Sequence, residues 1–67
     1  MSRVRRERHP ELSLVSLAHP VEAEGLILPP GSTGGVVHVY PGERAYEVEF
    51  VSPFHVLATV EAAAIKE

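Results

Sequence analysis

Proline residues divide the 67-residue chain into short segments, and this division limits its secondary structure more than any other feature. Proline interrupts helices and is excluded from central strands, so each proline marks the end of an element. The breaks recur at intervals of roughly 9–12 residues, the spacing of a strand plus a turn in all-β domains. They are Pro10, Pro20, the pair Pro29 and Pro30, Pro41, and Pro53. We therefore predict an all-β chain of short strands.

Five segments between these breaks are rich in Val, Leu, Tyr and Phe and are predicted to be strands. One of them alternates almost perfectly, with Tyr46, Val48 and Phe50 on one face and Glu47 and Glu49 on the other. The predicted strands span residues 11–18, 25–28, 34–40, 44–51 and 54–60. The last seven residues, EAAAIKE, are too few for a stable helix and are predicted to form a final turn, a 3₁₀ turn or a short closing strand.

The sequence PGER at 41–44 predicts a tight antiparallel hairpin between strands 34–40 and 44–51. Pro41 suits the second position of a type I or type II turn, and Gly42 suits the third position of type II, which requires a positive φ. A bulge near Gly34 and Gly35 would exchange the two faces of the preceding strand, so its inward face is left open.

Five short strands are too few for two large stacked sheets but can curl into a small, partly open barrel, whose closure protects the strand edges. A hydrophobic content of 45% with 22% charged residues is typical of a folded chain. One apolar face per strand then fills a single small core. The predicted core residues are Leu14, Val15, Leu17, Leu26, Leu28, Val37, Val39, Tyr46, Val48, Phe50, Val56, Ala58 and Val60.

The formal net charge of -3 averages two parts of opposite sign. The first eight residues hold one glutamate and four arginines, namely Arg3, Arg5, Arg6 and Arg8. The remaining residues hold only Arg44 and Lys66 against eight glutamates. We predict a flexible basic N-terminal arm over residues 1–10 and one β-barrel domain over 11–67.

Several classes of protein are excluded by composition. The chain has no cysteine, so it forms neither disulfides nor thiolate zinc sites. Its apolar runs are too short for a signal peptide or for a membrane span of about 20 residues, so we expect a cytoplasmic protein that does not bind membranes.

The stretch LPPGSTGGVVHVYPGERAYEVEFV, residues 28–51, resembles a family of small bacterial proteins catalogued as domain of unknown function 4926. The matching features are a glycine turn over Gly31–Gly34, the strand VVHVY and the strand YEVEF, after an opening LSLVSL strand. Ser13 and Ser16 depart from the family pattern, which usually has an acidic residue near the start of that strand. The resemblance implies a small five-stranded SH3-like barrel with no established chemistry. It also implies a partner-binding role of toxin–antitoxin or immunity type.

No pattern in the chain predicts catalysis, a metal or a cofactor. The loop PGSTGG at 30–35 is followed by a strand rather than a helix, so it is interpreted as a turn and not as a phosphate-binding loop. The histidines lack metal-ligand spacing, although His38 and His55 could form a cross-strand pair. Glu47 and Glu49 are interpreted as a solvated strand face rather than a catalytic pair. We therefore expect a protein that is not an enzyme.

Binding remains as the predicted function, and two surfaces compete for it. The first is the acidic hairpin face, formed by Glu43, Glu47, Glu49, His38 and Tyr40, which would contact a basic protein partner or a second copy of the chain. The alternative is nucleic-acid binding through Arg3, Arg5, Arg6 and Arg8. A groove for proline-rich peptides is poorly supplied with aromatic side chains, because the core needs Tyr46 and Phe50.

Overall fold

A computed structural model describes residues 9–66, and all of their regular structure apart from two 3₁₀ turns is β-strand. The strands are β1 (Leu14–Ser16), β2 (Val21–Ala23), β3 (Leu26–Leu28), β4 (Thr33–Val39), β5 (Ala45–Ser52) and β6 (Val56–Glu61). Four of them form an antiparallel sheet in the order β1-β4-β5-β6, and β2 and β3 form a separate two-stranded sheet. The predicted all-β class is confirmed.

The predicted count of five strands is wrong, because the segment before β3, which lies outside the predicted strands, is partly extended. That segment contains β2, which pairs with β3 through a two-residue turn. Glu24 and Gly25 occupy the turn with φ values of 52° and 78°. Positive φ at both positions is the signature of a type I′ turn, which suits the twist of a tight hairpin. The hairpin is its own small sheet, so the strands do not form one closed five-stranded barrel.

The first strand is shorter than predicted, because the backbone turns before it. Ser13 N–H donates to the Pro10 carbonyl at 3.1 Å, and Leu12 has a φ of 72°. A leucine in the left-handed region cannot continue an extended strand. Regular pairing with β4 therefore begins only at Leu14.

The predicted hairpin between β4 and β5 is confirmed, including its turn type. Gly42 has φ 74° and ψ 4°, close to the third position of a type II turn. Glu43 N–H donates to the Tyr40 carbonyl at 2.9 Å, which closes the turn, and Tyr40 N–H donates to the Ala45 carbonyl at 3.1 Å.

A single apolar core lies on the inner face of the four-stranded sheet, and the β2–β3 hairpin contributes to it. Nine of the predicted core residues are buried: Val15, Leu17, Leu28, Tyr46, Val48, Phe50, Val56, Ala58 and Val60. Val39 is partly buried against them. Three core assignments are wrong, because Leu14, Leu26 and Val37 are exposed; Ala23, Val36 and Ile65 are buried instead.

A β-bulge at Val37 explains the error on β4. The pairing of β4 with β5 is regular at Val36↔Val48 and then shifts, so that His38 and not Val37 lies opposite Glu47. The extra residue exchanges the inner and outer faces at that point. Val36 therefore enters the core, whereas Val37 is 42% exposed. A second register shift lies between Thr33 and Gly34. It is close to Gly34 and Gly35, where a bulge was considered possible from the sequence.

The end of the described chain returns to the first strand. The predicted 3₁₀ turn is present over Ala62–Ala64, and Ile65 then forms an isolated antiparallel bridge with Leu17. Ala18 N–H donates to the Ala64 carbonyl at 2.7 Å, and Lys66 N–H donates to the Ser16 carbonyl at 2.8 Å. These bonds join the two ends of the domain beside the core.

Candidate functional site

The outer face of the four-stranded sheet, meaning the side chains of β1, β4, β5 and β6 that point away from the core, carries most of the predicted site. Alternation along the strands places Glu47 and Glu49 on this face, because Tyr46, Val48 and Phe50 are fully buried on the other. The central β5 strand thus presents two carboxylates between two neighbouring strands.

Glu47 is the centre of a polar cluster on the outer face. Its Oε1 accepts hydrogen bonds from Tyr40 Oη at 3.1 Å and from Thr59 Oγ1 at 2.7 Å. The register places His38 and Thr59 opposite Glu47 on β4 and β6. The His38 ring meets the Tyr40 ring edge-on, with centroids 4.6 Å apart. The structure therefore brings together three of the predicted partner-binding residues, His38, Tyr40 and Glu47.

Glu49 lies two residues after Glu47 on β5, on the same face of the sheet, but its environment is different. It is exposed, and no hydrogen bond or ion pair from another residue of the described range reaches its carboxylate. Gly35 on β4 and Leu57 on β6 flank it in the register, and Leu14 on β1 lies beyond Gly35. Glu49 is thus the carboxylate that is available to a ligand, whereas Glu47 is already engaged.

Glu43 lies apart from both groups, in the turn between β4 and β5. It is half-buried and has a φ of 57°, so its position is set by the tight turn rather than by a strand. The prediction that Glu43 belongs to the same acidic face as Glu47 and Glu49 took account only of its charge.

Exposed apolar residues on and beside the outer face were missed by the sequence analysis. Leu12 is 88% exposed, Leu14 76% and Leu57 48%, and the bulge adds Val37. Alternation with the buried residues of β6 could have identified Leu57. Leu12 and Val37 depend on a left-handed residue and a bulge, for which the local sequence has no clear signal.

The four arginines of the predicted nucleic-acid arm, Arg3, Arg5, Arg6 and Arg8, lie outside the described residues. His9, at the end of that predicted arm, packs its ring edge-on against Tyr46 with centroids 5.3 Å apart.

The structure also locates the two remaining motifs, the possible His38–His55 pair and the glycine loop at 30–35. His38 and His55 are not neighbours, because β5 separates their strands and His55 precedes β6 while His38 is in register with Thr59 near its end. In the loop 30–35, Gly31 has a φ of 93° and β4 follows directly. The loop is therefore a glycine-dependent turn into a strand. Residues 9–66 contain no cluster of potential metal ligands and no helix that is long and apolar enough to cross a membrane.

Searches against protein-family models, curated proteins and solved structures give no match to this chain. The resemblance to the small bacterial family therefore stays a prediction.

Proposed function

We propose that this protein is a small, non-catalytic interaction module or accessory subunit that binds a basic partner protein through the outer face of its four-stranded sheet. An antitoxin-type or immunity-type role in the bacterial cytoplasm, beside a partner encoded nearby, is the setting that the family resemblance favours.

The chain path supports an SH3-like architecture for this module. A first strand is followed by the β2–β3 hairpin, by the three consecutive strands β4, β5 and β6, and by a 3₁₀ turn that leads back to the first strand. This order is compatible with the partly open SH3-like barrel that the family resemblance implies, with β2 added to the five predicted strands. Architecture alone does not identify a function, and the proposal therefore depends on the chemistry of the outer face.

One observation carries the proposal: the outer face combines acidic side chains with exposed leucine and valine side chains. Exposed apolar side chains that are bordered by polar ones are typical of protein interaction sites when they form a patch. The described residues hold seven glutamates, and their only cations, Arg44 and Lys66, lie outside the strands. A face of this kind favours a protein surface that is apolar and basic, and it repels polyanions.

The experiment is affinity purification of the tagged full chain from its native host, with matched variants. We expect a partner that is retained in stoichiometric amount by the wild type and lost by Glu47→Gln/Glu49→Gln. Glu22→Gln/Glu24→Gln, which removes the same charge from the β2–β3 hairpin, should retain it. Recovery of no stoichiometric partner, or equal recovery with both double variants, would contradict the proposal.

The alternative function, nucleic-acid binding by the basic arm, is supported by the concentration of arginine in the first eight residues. The same purification distinguishes it. Binding that is abolished by nuclease treatment and by replacing Arg3, Arg5, Arg6 and Arg8 with glutamine would favour the alternative over the outer face.

A further inference from the structure

Gly35 leaves a gap in the outer face, between two side chains that stand above it. The register aligns Leu14, Gly35, Glu49 and Leu57 in one row across all four strands. Neighbouring strands are about 4.8 Å apart, so the backbones of Leu14 and Glu49 are separated by roughly 10 Å, and the residue between them in the row has no side chain. Among the described residues, a Cβ added at Gly35 would approach the Ser13 carbonyl oxygen to 3.9 Å, an ordinary van der Waals distance. We name this gap, with Leu14 and Glu49 as its walls, the Gly35 notch.

The walls of the Gly35 notch differ in chemistry. Leu14 is an exposed apolar side chain, whereas Glu49 is an exposed carboxylate with no partner among the residues of the described range. A lysine or arginine side chain has the matching character, because its aliphatic stem packs on apolar surface while its cationic head pairs with a carboxylate. Leu57, on the far side of Glu49, offers a second apolar contact to residues that flank the cation.

We propose that the Gly35 notch binds one lysine or arginine side chain of the partner protein, flanked by apolar side chains that contact Leu14 and Leu57. This inference rests on the proposed function and names the chemistry of its partner. The cation lies over Gly35 with its head at Glu49, while the Glu47 cluster keeps its internal hydrogen bonds.

Charge decides between this occupant and a second copy of the chain. A two-fold axis through the row would place Glu49 and Glu47 of one copy against the same residues of the other. Among residues 9–66, the outer face has no lysine or arginine to offset that repulsion. A basic partner meets the same face with complementary charge.

The first test uses defined peptides and the full chain. The probe is the acetylated nonapeptide GSLSRSLSG, in which one arginine lies between two leucines at the spacing of one strand face. We expect its titration to shift the backbone amide NMR signals of Gly35, Glu49 and Leu57. Replacing the arginine with glutamate, or both leucines with serine, should weaken binding at least tenfold. Shifts that avoid Gly35 and Glu49, or equal binding of the three peptides, would overturn the proposal.

The second test fills the notch. Gly35→Val should lower peptide affinity at least tenfold and leave the melting temperature unchanged or higher, because a Cβ at Gly35 meets its neighbour only at ordinary van der Waals distance and valine favours a strand. Glu49→Gln should have a similar effect on affinity, whereas Glu22→Gln on β2 should have none. Wild-type affinity in folded Gly35→Val would contradict the notch directly.

Two further outcomes would reassign the occupant and overturn the partner assignment. One is a dimer in sedimentation experiments that Gly35→Val dissociates, which would place a second copy on this face. The other is tighter peptide binding when the four arginines of residues 1–8 are replaced with glutamine, which would identify the chain's own first residues as a competitor.

Affinity purification with the native partner distinguishes a failure of this inference from a failure of the proposed function. If Gly35→Val retains a partner that Glu47→Gln/Glu49→Gln loses, the notch is wrong and the proposed function stands. If no partner binds the wild type, the proposed function is wrong as well.

Discussion

Gly34 and Gly35 are adjacent in sequence and have opposite roles in the fold. A Cβ at Gly34 would lie 2.6 Å from the Glu49 carbonyl oxygen and 2.8 Å from both the Phe50 Cα and a Val48 methyl group. Two of these three contacts are backbone atoms, which cannot move without disturbing the sheet. Gly34 is therefore required by close packing of β4 on β5, whereas a Cβ at Gly35 would meet its neighbour only at ordinary van der Waals distance.

This difference predicts opposite effects of the same substitution. Gly34→Ala should lower the free energy of unfolding by about 1–3 kcal/mol or more, because it overpacks a site with no room. Gly35→Ala should leave it unchanged or raise it by up to about 1 kcal/mol, because it only restricts the unfolded chain. Urea unfolding followed by far-ultraviolet circular dichroism measures both. Equal destabilisation by the two variants would show that Gly34 is not packed as described.

At the scale of the element, the bulge in β4 determines which valine supports the core. Val36 is fully buried opposite Val48, and Val37 is the extra residue that the bulge turns outward. The three valines of this strand are nearly equivalent in the local sequence, GGVVHVY, so only the register with β5 distinguishes them.

The bulge can be tested by alanine substitution at each position. Val36→Ala should cost about 2–3 kcal/mol of unfolding free energy, because it removes buried methyl groups and leaves a cavity. Val37→Ala should cost about 0.5 kcal/mol or less, as for other exposed positions. Thermal melts of the two variants under one condition are sufficient. A larger loss at Val37 would place the bulge elsewhere and invert the outer face of β4.

At the scale of the whole molecule, the domain depends on the contact between Ile65, after the last strand, and Leu17, after the first strand. Ile65 is buried and bridges to Leu17, which is also buried. Beside this bridge, Ala18 N–H donates to the Ala64 carbonyl and Lys66 N–H donates to the Ser16 carbonyl. A domain of this size has a total stability of roughly 3–10 kcal/mol, so one such contact is a large share of it.

Ile65→Ala should therefore reduce the free energy of unfolding by about 2–5 kcal/mol, which removes much of the total stability. Lys66→Ala, an exposed neighbour, is the matched control and should change it by about 0.5 kcal/mol or less. Hydrogen exchange adds a local measurement, since the Ala18 and Lys66 amides bond across this contact. Wild-type stability of Ile65→Ala would mean that the contact between Leu17 and Ile65 does not stabilise the domain.

Features that depend on a few consecutive residues are readable from the local sequence. Alternation in YEVEF specified the faces of β5, and Pro41 and Gly42 specified a type II turn, because strand alternation and turn φ values are local properties. Glycine after Pro30 likewise marked a turn that leads into a strand.

Features that depend on contacts between distant residues emerge only in the folded chain. The bulge at Val37, the exposure of Leu14, the bridge from Leu17 to Ile65 and the gap at Gly35 each arise from the register of one strand against another. A shift of one residue in that register exchanges the core and the solvent face, and a single sequence does not encode it locally. For this reason the acidic side chains of the candidate site and Leu57 were predictable by alternation, whereas Leu14, Val37 and the Gly35 notch were not.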